Sequence, residues 1–218
     1  MHRSGTSCLA GSLEEAGVYL GEVQRMNPYN LKGNCEHLKI MDLHDDLFAE
    51  NGGSWDNPPL NVIWSEKHKT QRDAIISEYA AVPLWGFKDP RALFALDGWQ
   101  EALPGMSLVG TFRHPLAVSR SLERRNMFTL EKGFQVWSAY NRRLLECHDR
   151  QPFPIISFDL PEETYRQKLV SLLPRLGLPV PPDKFEFFEA DLRHGEQEEL
   201  PLPAEIQSLY DRLLRISV

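Results

Sequence analysis

Met1-His2-Arg3-Ser4-Gly5-Thr6-Ser7-Cys8-Leu9-Ala10-Gly11-Ser12-Leu13 sets a cation, small residues and hydroxyls directly ahead of an apolar, helix-prone run. The spacing predicts a helix from Cys8 to Ala16. A helix start leaves backbone N–H groups without intrahelical partners and carries partial positive charge, so a turn of this kind suits a cluster of anionic oxygens. Arg3 adds a fixed charge with a planar fork of donors. Thr6 and Ser7 add hydroxyl donors, and Gly5 lets the backbone approach a ligand closely. The same residues also suit a second reading, a Ser/Thr-capped helix with no ligand.

A nucleotide-kinase loop reads G-x-x-x-x-G-K-[ST], with the lysine on the phosphates and the hydroxyl on magnesium. Here Gly5 is followed by Thr6-Ser7 and the cation precedes the glycine. A magnesium-dependent phosphoryl transferase is therefore disfavoured. With 218 residues, one domain spanning 1–218 is expected. A net charge of −7 argues against a nucleic-acid coat, yet allows a local basic pocket. Cys8, Cys35 and Cys147 are scattered and odd in number, which predicts reduced thiols and a cytoplasmic setting. No C-x-x-C spacing or His/Cys clustering marks a metal site, and neither a signal peptide nor a membrane-length apolar run is read.

Working outward, Gly17 to Gly21 predicts a short strand, and Leu38, Met41, Leu43, Leu47 and Phe48 mark a helix. Gly52-Gly53 and Pro58-Pro59 break the chain around Trp55. Ser65 to Tyr79 predicts an amphipathic helix with Ser65 as its cap. Three later apolar segments predict strands running into helices. Pro83 to Phe87 ends at Lys88-Asp89-Pro90-Arg91, Ser107 to Phe112 at Arg113-His114-Pro115, and Pro154 to Phe158 at Asp159. Alternating strands and helices imply a parallel sheet with ligands beyond its strand ends, where the Arg3, Lys88 and Arg113 turns should all open. A phosphate-binding turn normally follows a strand of about five or six residues, so the first strand is expected to be missing ahead of Met1. The tail from Leu178 to Pro203 is rich in proline and acid, and Pro203 to Ile216 predicts a closing helix.

Two segments resemble one family. His2-Arg3-Ser4-Gly5-Thr6-Ser7 resembles the 5′-phosphosulfate loop of sulfotransferases. Val109-Gly110-Thr111-Phe112-Arg113-His114-Pro115-Leu116-Ala117-Val118-Ser119-Arg120-Ser121-Leu122 resembles their 3′-phosphate segment. Lys88-Asp89-Pro90-Arg91, Trp137 to Arg142 and Ile156 to Leu160 also fit the bacterial branch. The resemblance covers nearly the whole chain. It implies an α/β fold, a three-layer P-loop-NTPase-like parallel sheet flanked by helices, with the first strand missing.

It further implies transfer of a sulfuryl group from 3′-phosphoadenosine 5′-phosphosulfate (PAPS; product PAP) to a hydroxyl or amine. Arg3, Ser4, Gly5, Thr6 and Ser7 would hold the 5′-phosphosulfate, and Arg113 and Ser121 the 3′-phosphate. For those last two to meet at one phosphate, part of His114 to Val118 must be a turn before the helix begins. In-line displacement at sulfur needs a base on the acceptor and positive charge on the leaving oxygens. By the resemblance, Arg3 and Lys88 would supply the charge and Glu36 the base, with His37 and His114 as alternatives. Asp89 would orient Lys88 or Arg91, or cap the next helix. Arg120, Arg124 and Arg125 read as a solvated basic face. No metal is implied. The acceptor is a small molecule, glycan or lipid, facing loops that hold Tyr29, Leu31, Trp55 and Trp64. Two other classes stand beside the sulfotransferase: a non-catalytic nucleotide-binding protein of the same fold, and a P-loop kinase.

Overall fold

The computed structural model describes residues 1–24, 33–179 and 200–218. In chain order these form α1 (Thr6–Glu15), α2 (Leu38–Glu50), α3 (Glu66–Glu78), α4 (Ala92–Ala102), β1 (Gly110–Phe112) and α5 (Pro115–Asn126). There follow α6 (Leu130–Arg150), β2 (Ile155–Ser157), α7 (Glu162–Leu172), a 3-10 turn at Leu173–Leu176, and α8 (Ala204–Ile216). The architecture is α/β, mostly helical, with a small parallel sheet of two strands among the described residues. Two compact units divide it: Met1–Ala16 with Ser107–Val218, and Gly17–Met106.

The first unit is built on β1 and β2, which pair in parallel with Gly110 opposite Ile155 and Phe112 opposite Ser157. Every residue of both strands is buried, as expected for parallel strands covered on both faces. Between them the chain runs through α5 and α6. Gly133 permits the close approach of these helices, since a Cβ there would lie 2.8 Å from the Ser119 backbone. α6, 21 residues long, is capped at its start by Thr129, whose side chain accepts from the Lys132 N–H. Its apolar stripe, Val136, Trp137, Tyr140, Leu144 and Leu145, is buried.

In the second unit, α2, α3 and α4 enclose Ile40, Leu43, Leu47, Ile75, Tyr79, Ala95 and Trp99. Trp99 is fully buried, and its indole N–H donates to His44 Nε2 at 2.9 Å. An indole N–H only donates, so His44 Nε2 is the acceptor and Nδ1 carries the proton. Trp64 packs edge-on to Trp99 with the Arg72 guanidinium above it, which makes it a packing residue.

Several boundaries differ from the expectations. α1 begins at Thr6, so Thr6 and Ser7 belong to the first helical turn. The strands expected at Gly17–Gly21 and Pro83–Phe87 reduce to one parallel bridge, Tyr19 with Trp85. Pro83 lacks the N–H that would lengthen the ladder, and Gly21 and Gly86 weaken a strand at either end. The Lys88 turn therefore follows an isolated bridge, whereas the Arg113 turn follows a strand of the sheet. Ser65 holds the N-cap position of α3, but its hydroxyl bonds His68 Nδ1 in place of a backbone N–H. Tyr29, Leu31 and most of the Leu178–Pro203 tail lie outside the described residues. Among the described residues no helix is long and apolar enough to cross a membrane.

Candidate functional site

The start of α1 carries no side-chain cap. Its N-cap is Gly5, with φ 78°, and no acidic residue occupies the first turn. The Ser/Thr-capped reading of this stretch is therefore corrected: the positive helix end lacks both a hydroxyl cap and a local carboxylate. Gly5 is required for a reason the sequence does not reveal. A Cβ there would lie 2.2 Å from the Phe158 ring, so the glycine admits Phe158 and the left-handed turn together. Arg3 is also left-handed, with φ 62°. Such conformations cost about 1–3 kcal/mol in non-glycine residues and persist only where the surroundings fix them. Here the surroundings are β1 and α5. The Ser4 carbonyl accepts from Thr111 Oγ1 at 3.1 Å, and Arg3 Nε donates to Ser121 Oγ at 2.8 Å. Ser4 itself is fully buried, and its hydroxyl has no hydrogen-bond partner among the described residues.

Arg113 ends β1. Trp137 Nε1 donates to its carbonyl at 2.9 Å, which explains a tryptophan in the middle of α6. The Arg113 guanidinium lies over the Phe158 ring, and its Nε is 3.7 Å from the Asp159 carboxylate. α5 follows at once: His114 is the N-cap and Pro115 the first helical residue. Of the non-helical stretch expected within His114–Val118, only His114 lies outside the helix, because proline at the next position preorganises α5. Ser121 sits in the second turn of α5, where it meets Arg3.

Arg124 and Arg125 lie three and four residues beyond Ser121, on the same helical face. Burial, then the neighbouring charges of Arg125, Arg113 and Arg124, push the Arg3 guanidinium down to about 10. The expected solvated face holds at Arg124, which is exposed, while Arg125 is half-buried. Arg120 pairs with Glu123 at 3.0 Å, and the charges of Arg125 and Arg124 reach Arg3.

In the second unit Lys88 Nζ lies 2.7 Å from Glu36 Oε1, with the two side chains 12% and 8% exposed. The Glu36 carbonyl accepts from Gln24 N–H at 3.0 Å. Cys35, just before it, is buried in the left-handed region at φ 52°. Glu36 is therefore fixed and enclosed, unlike an ordinary loop glutamate. Beside it, burial pushes the His37 imidazole down, with Glu78 opposing. In the first unit burial pushes His114 down likewise, against Asp159.

Asp89 orients Arg91, not Lys88. Its carboxylate accepts from Arg91 N–H at 2.8 Å and Nη2 at 2.8 Å, and lies 3.1 Å from His44 Nδ1. Burial opposes this carboxylate's charge, but His44 and Arg91 outweigh it and hold the group well below the usual range.

Of the residues picked from the sequence, Arg3, Ser4, Gly5, Thr6, Ser7, Arg113 and Ser121 belong to the first unit. Arg3 is bonded to Ser121, and the neighbouring Ser4 carbonyl to Thr111. Glu36 and Lys88 belong to the second unit and pair with each other. A half-buried arginine whose basicity is lowered by like charges, beside an uncapped helix start, favours an anion. No protein-family model, curated protein or solved structure matches this chain.

Proposed function

We propose that the chain is a sulfotransferase that uses 3′-phosphoadenosine 5′-phosphosulfate. One observation carries the reading: Arg3, half-buried and held in a left-handed turn at the uncapped start of α1, donates to Ser121 across 118 positions, and the charges of Arg125, Arg113 and Arg124 lower its basicity. Like charges gathered at this cost are relieved by an anion. The donor brings a sulfuryl group on a phosphate leaving group.

The α1 start and Arg3 hold the 5′-phosphosulfate, with Ser4, Gly5, Thr6 and Ser7 shaping the turn. Arg113 and Ser121 take the 3′-phosphate. Lys88 supplies positive charge to the leaving oxygens, and Glu36 takes the acceptor proton on its carboxylate; these two roles rest on the resemblance. The acceptor class is a hydroxyl or amine on a small molecule, glycan or lipid. The reading includes a three-layer P-loop-like sheet, with β1 and β2 as its described part.

A second reading, a nucleotide-binding protein without turnover, is favoured by the enclosed Lys88–Glu36 pair. Two charges held this way also make sense as a structural bridge.

The test is transfer of radiolabelled sulfuryl from the donor to a panel of hydroxyl and amine acceptors. Arg113→Ala and Lys88→Ala should each lower turnover by about a hundredfold or more, and Glu36→Gln by a similar factor. Unchanged turnover in all three variants overturns the assignment. Donor-product binding without turnover on any acceptor selects the second reading.

A further inference from the structure

α2 and α3 carry a cluster that the proposed activity does not use. Asp46 and Glu50 stand one turn apart on α2, and His68 lies in the first turn of α3. The His68 side chain is 0% exposed, while Asp46 and Glu50 are 46% and 50% exposed. His68 Nε2 is 2.9 Å from Asp46 Oδ2 and 3.5 Å from Glu50 Oε2. The three ligand atoms all lie within 4.8 Å of one another. Tetrahedral zinc with bonds of about 2.0–2.1 Å sets its ligand atoms about 3.4 Å apart, so this triangle needs only small side-chain adjustments.

The other ring nitrogen is already oriented. His68 Nδ1 lies 2.8 Å from Ser65 Oγ. A hydroxyl can accept as well as donate, so Nδ1–H donates to Ser65 when Nε2 gives its lone pair to a metal. Outer hydrogen bonds of this kind fix the tautomer of metal-binding histidines. It also accounts for why Ser65, at the N-cap position, leaves the helix N–H groups uncapped. Lys67 now pairs with Asp46 Oδ2. One lysine balances one of the two carboxylates, whereas a divalent ion balances both. A simple inter-helix ion pair would need neither a fully buried imidazole aimed at the carboxylates nor a hydroxyl set behind it.

We propose that Asp46, Glu50 and His68 bind one divalent transition-metal ion of the zinc type, with water completing the coordination on the exposed side. One nitrogen and two carboxylate ligands suit zinc and are too few for calcium. Magnesium dehydrates reluctantly and prefers oxygen ligands. The ion would clamp α2 to α3.

The test is calorimetric titration of the chelator-treated full chain with zinc chloride, alongside thermal melting. Saturable one-to-one binding is expected, with a melting temperature that rises as zinc increases. Glu50→Gln, half exposed and away from the core, should weaken binding at least tenfold, because even a lost outer hydrogen bond to a ligand costs about 10–100-fold. Ser65→Ala removes such an outer bond and should weaken binding about tenfold. Lys67→Ala should tighten it by removing the competing ammonium. Magnesium should produce no shift. Absence of saturable zinc binding overturns the proposal. So does zinc binding that survives both Glu50→Gln and Asp46→Asn, which would place the ion on other histidines or cysteines.

Discussion

Arg3 and Arg91 both lie beside the start of a helix, and their surroundings differ in sign. Arg91 meets Asp89 through its backbone N–H, Nε and Nη2, and Asp45 through Nη1. Burial alone would lower its basicity, but Asp89 and Asp45 push it well above the usual arginine value. Arg3 is pushed down to about 10 by burial, with Arg125, Arg113 and Arg124 adding to the fall. Asp89 and Asp45 make Arg91 an internal brace. At Arg3 the named charges that shift its basicity are arginines. Under the proposed function, that difference sets a cation that holds the structure apart from one that meets a ligand.

The largest effect should come from breaking the brace. Asp89→Ala leaves Arg91 and His44 buried without the carboxylate they share, and should cost about 3–5 kcal/mol of stability in denaturant unfolding. The same pair sets an acid limit. Asp89 titrates lower in the fold than in the unfolded chain, so its contribution is present above the unfolded carboxylate value of 3.8 and is lost as pH falls toward the lower folded value.

Arg3→Gln should behave in the opposite way. Removing a charge that the fold disfavours should leave the melting temperature no lower than in the wild type. Affinity for 3′-phosphoadenosine 5′-phosphate should fall about ten- to a hundredfold, as expected for charged hydrogen bonds of about 1.5–3 kcal/mol. A drop in melting temperature comparable to that of Asp89→Ala would erase the contrast between the two arginines.

Arg125→Gln should have a smaller effect. Its charge acts on Arg3 from a neighbouring position on α5, which predicts a loss of about two- to fivefold in affinity, corresponding to up to about 1 kcal/mol, and a shallower dependence on salt. The smallest effect concerns His37 and His114. Both are pushed below the ordinary histidine value of 6.5. The unfolded chain therefore takes up protons first, and stability should decline as pH drops below about 6.5 toward the lower folded values. Melting curves across that interval measure it, and the double variant His37→Gln/His114→Gln should flatten the slope.

Much of the helical frame is legible in the sequence because its apolar residues recur at helical spacing, as in α2 with Leu43, Leu47 and Phe48. α6 carries the same signal in Val136, Trp137, Tyr140 and Leu144, together with a threonine cap, although only Trp137 to Arg142 entered the sequence-based expectation. The strands are harder to read. Pro83 to Phe87 and Ser107 to Phe112 look equally apolar, but pairing depends on a partner elsewhere in the chain. Of these two segments, the one holding Gly110–Phe112 finds a ladder, against Ile155–Ser157.

The site follows the same division. Arg3 and Ser121 stand out in local motifs, and a hydrogen bond joins them across 118 positions. What local sequence does not encode is which neighbours converge in space. Arg125 reads as surface because adjacent arginines usually are, and Gly5 reads as a ligand contact because Phe158 is remote in sequence. Asp89 has two basic neighbours, Lys88 and Arg91, and only the backbone turn decides which one it holds.

If the arginines of the first unit form an anion site for a 3′-phosphorylated nucleotide, calorimetric titration with 3′-phosphoadenosine 5′-phosphate, on the wild type and on Arg3→Gln, tests it most directly. The predicted result is one-to-one binding by the wild type that weakens as salt is raised, and loss of most of that affinity in Arg3→Gln at an undiminished melting temperature. No binding by the wild type, or equal binding by both proteins, would contradict it.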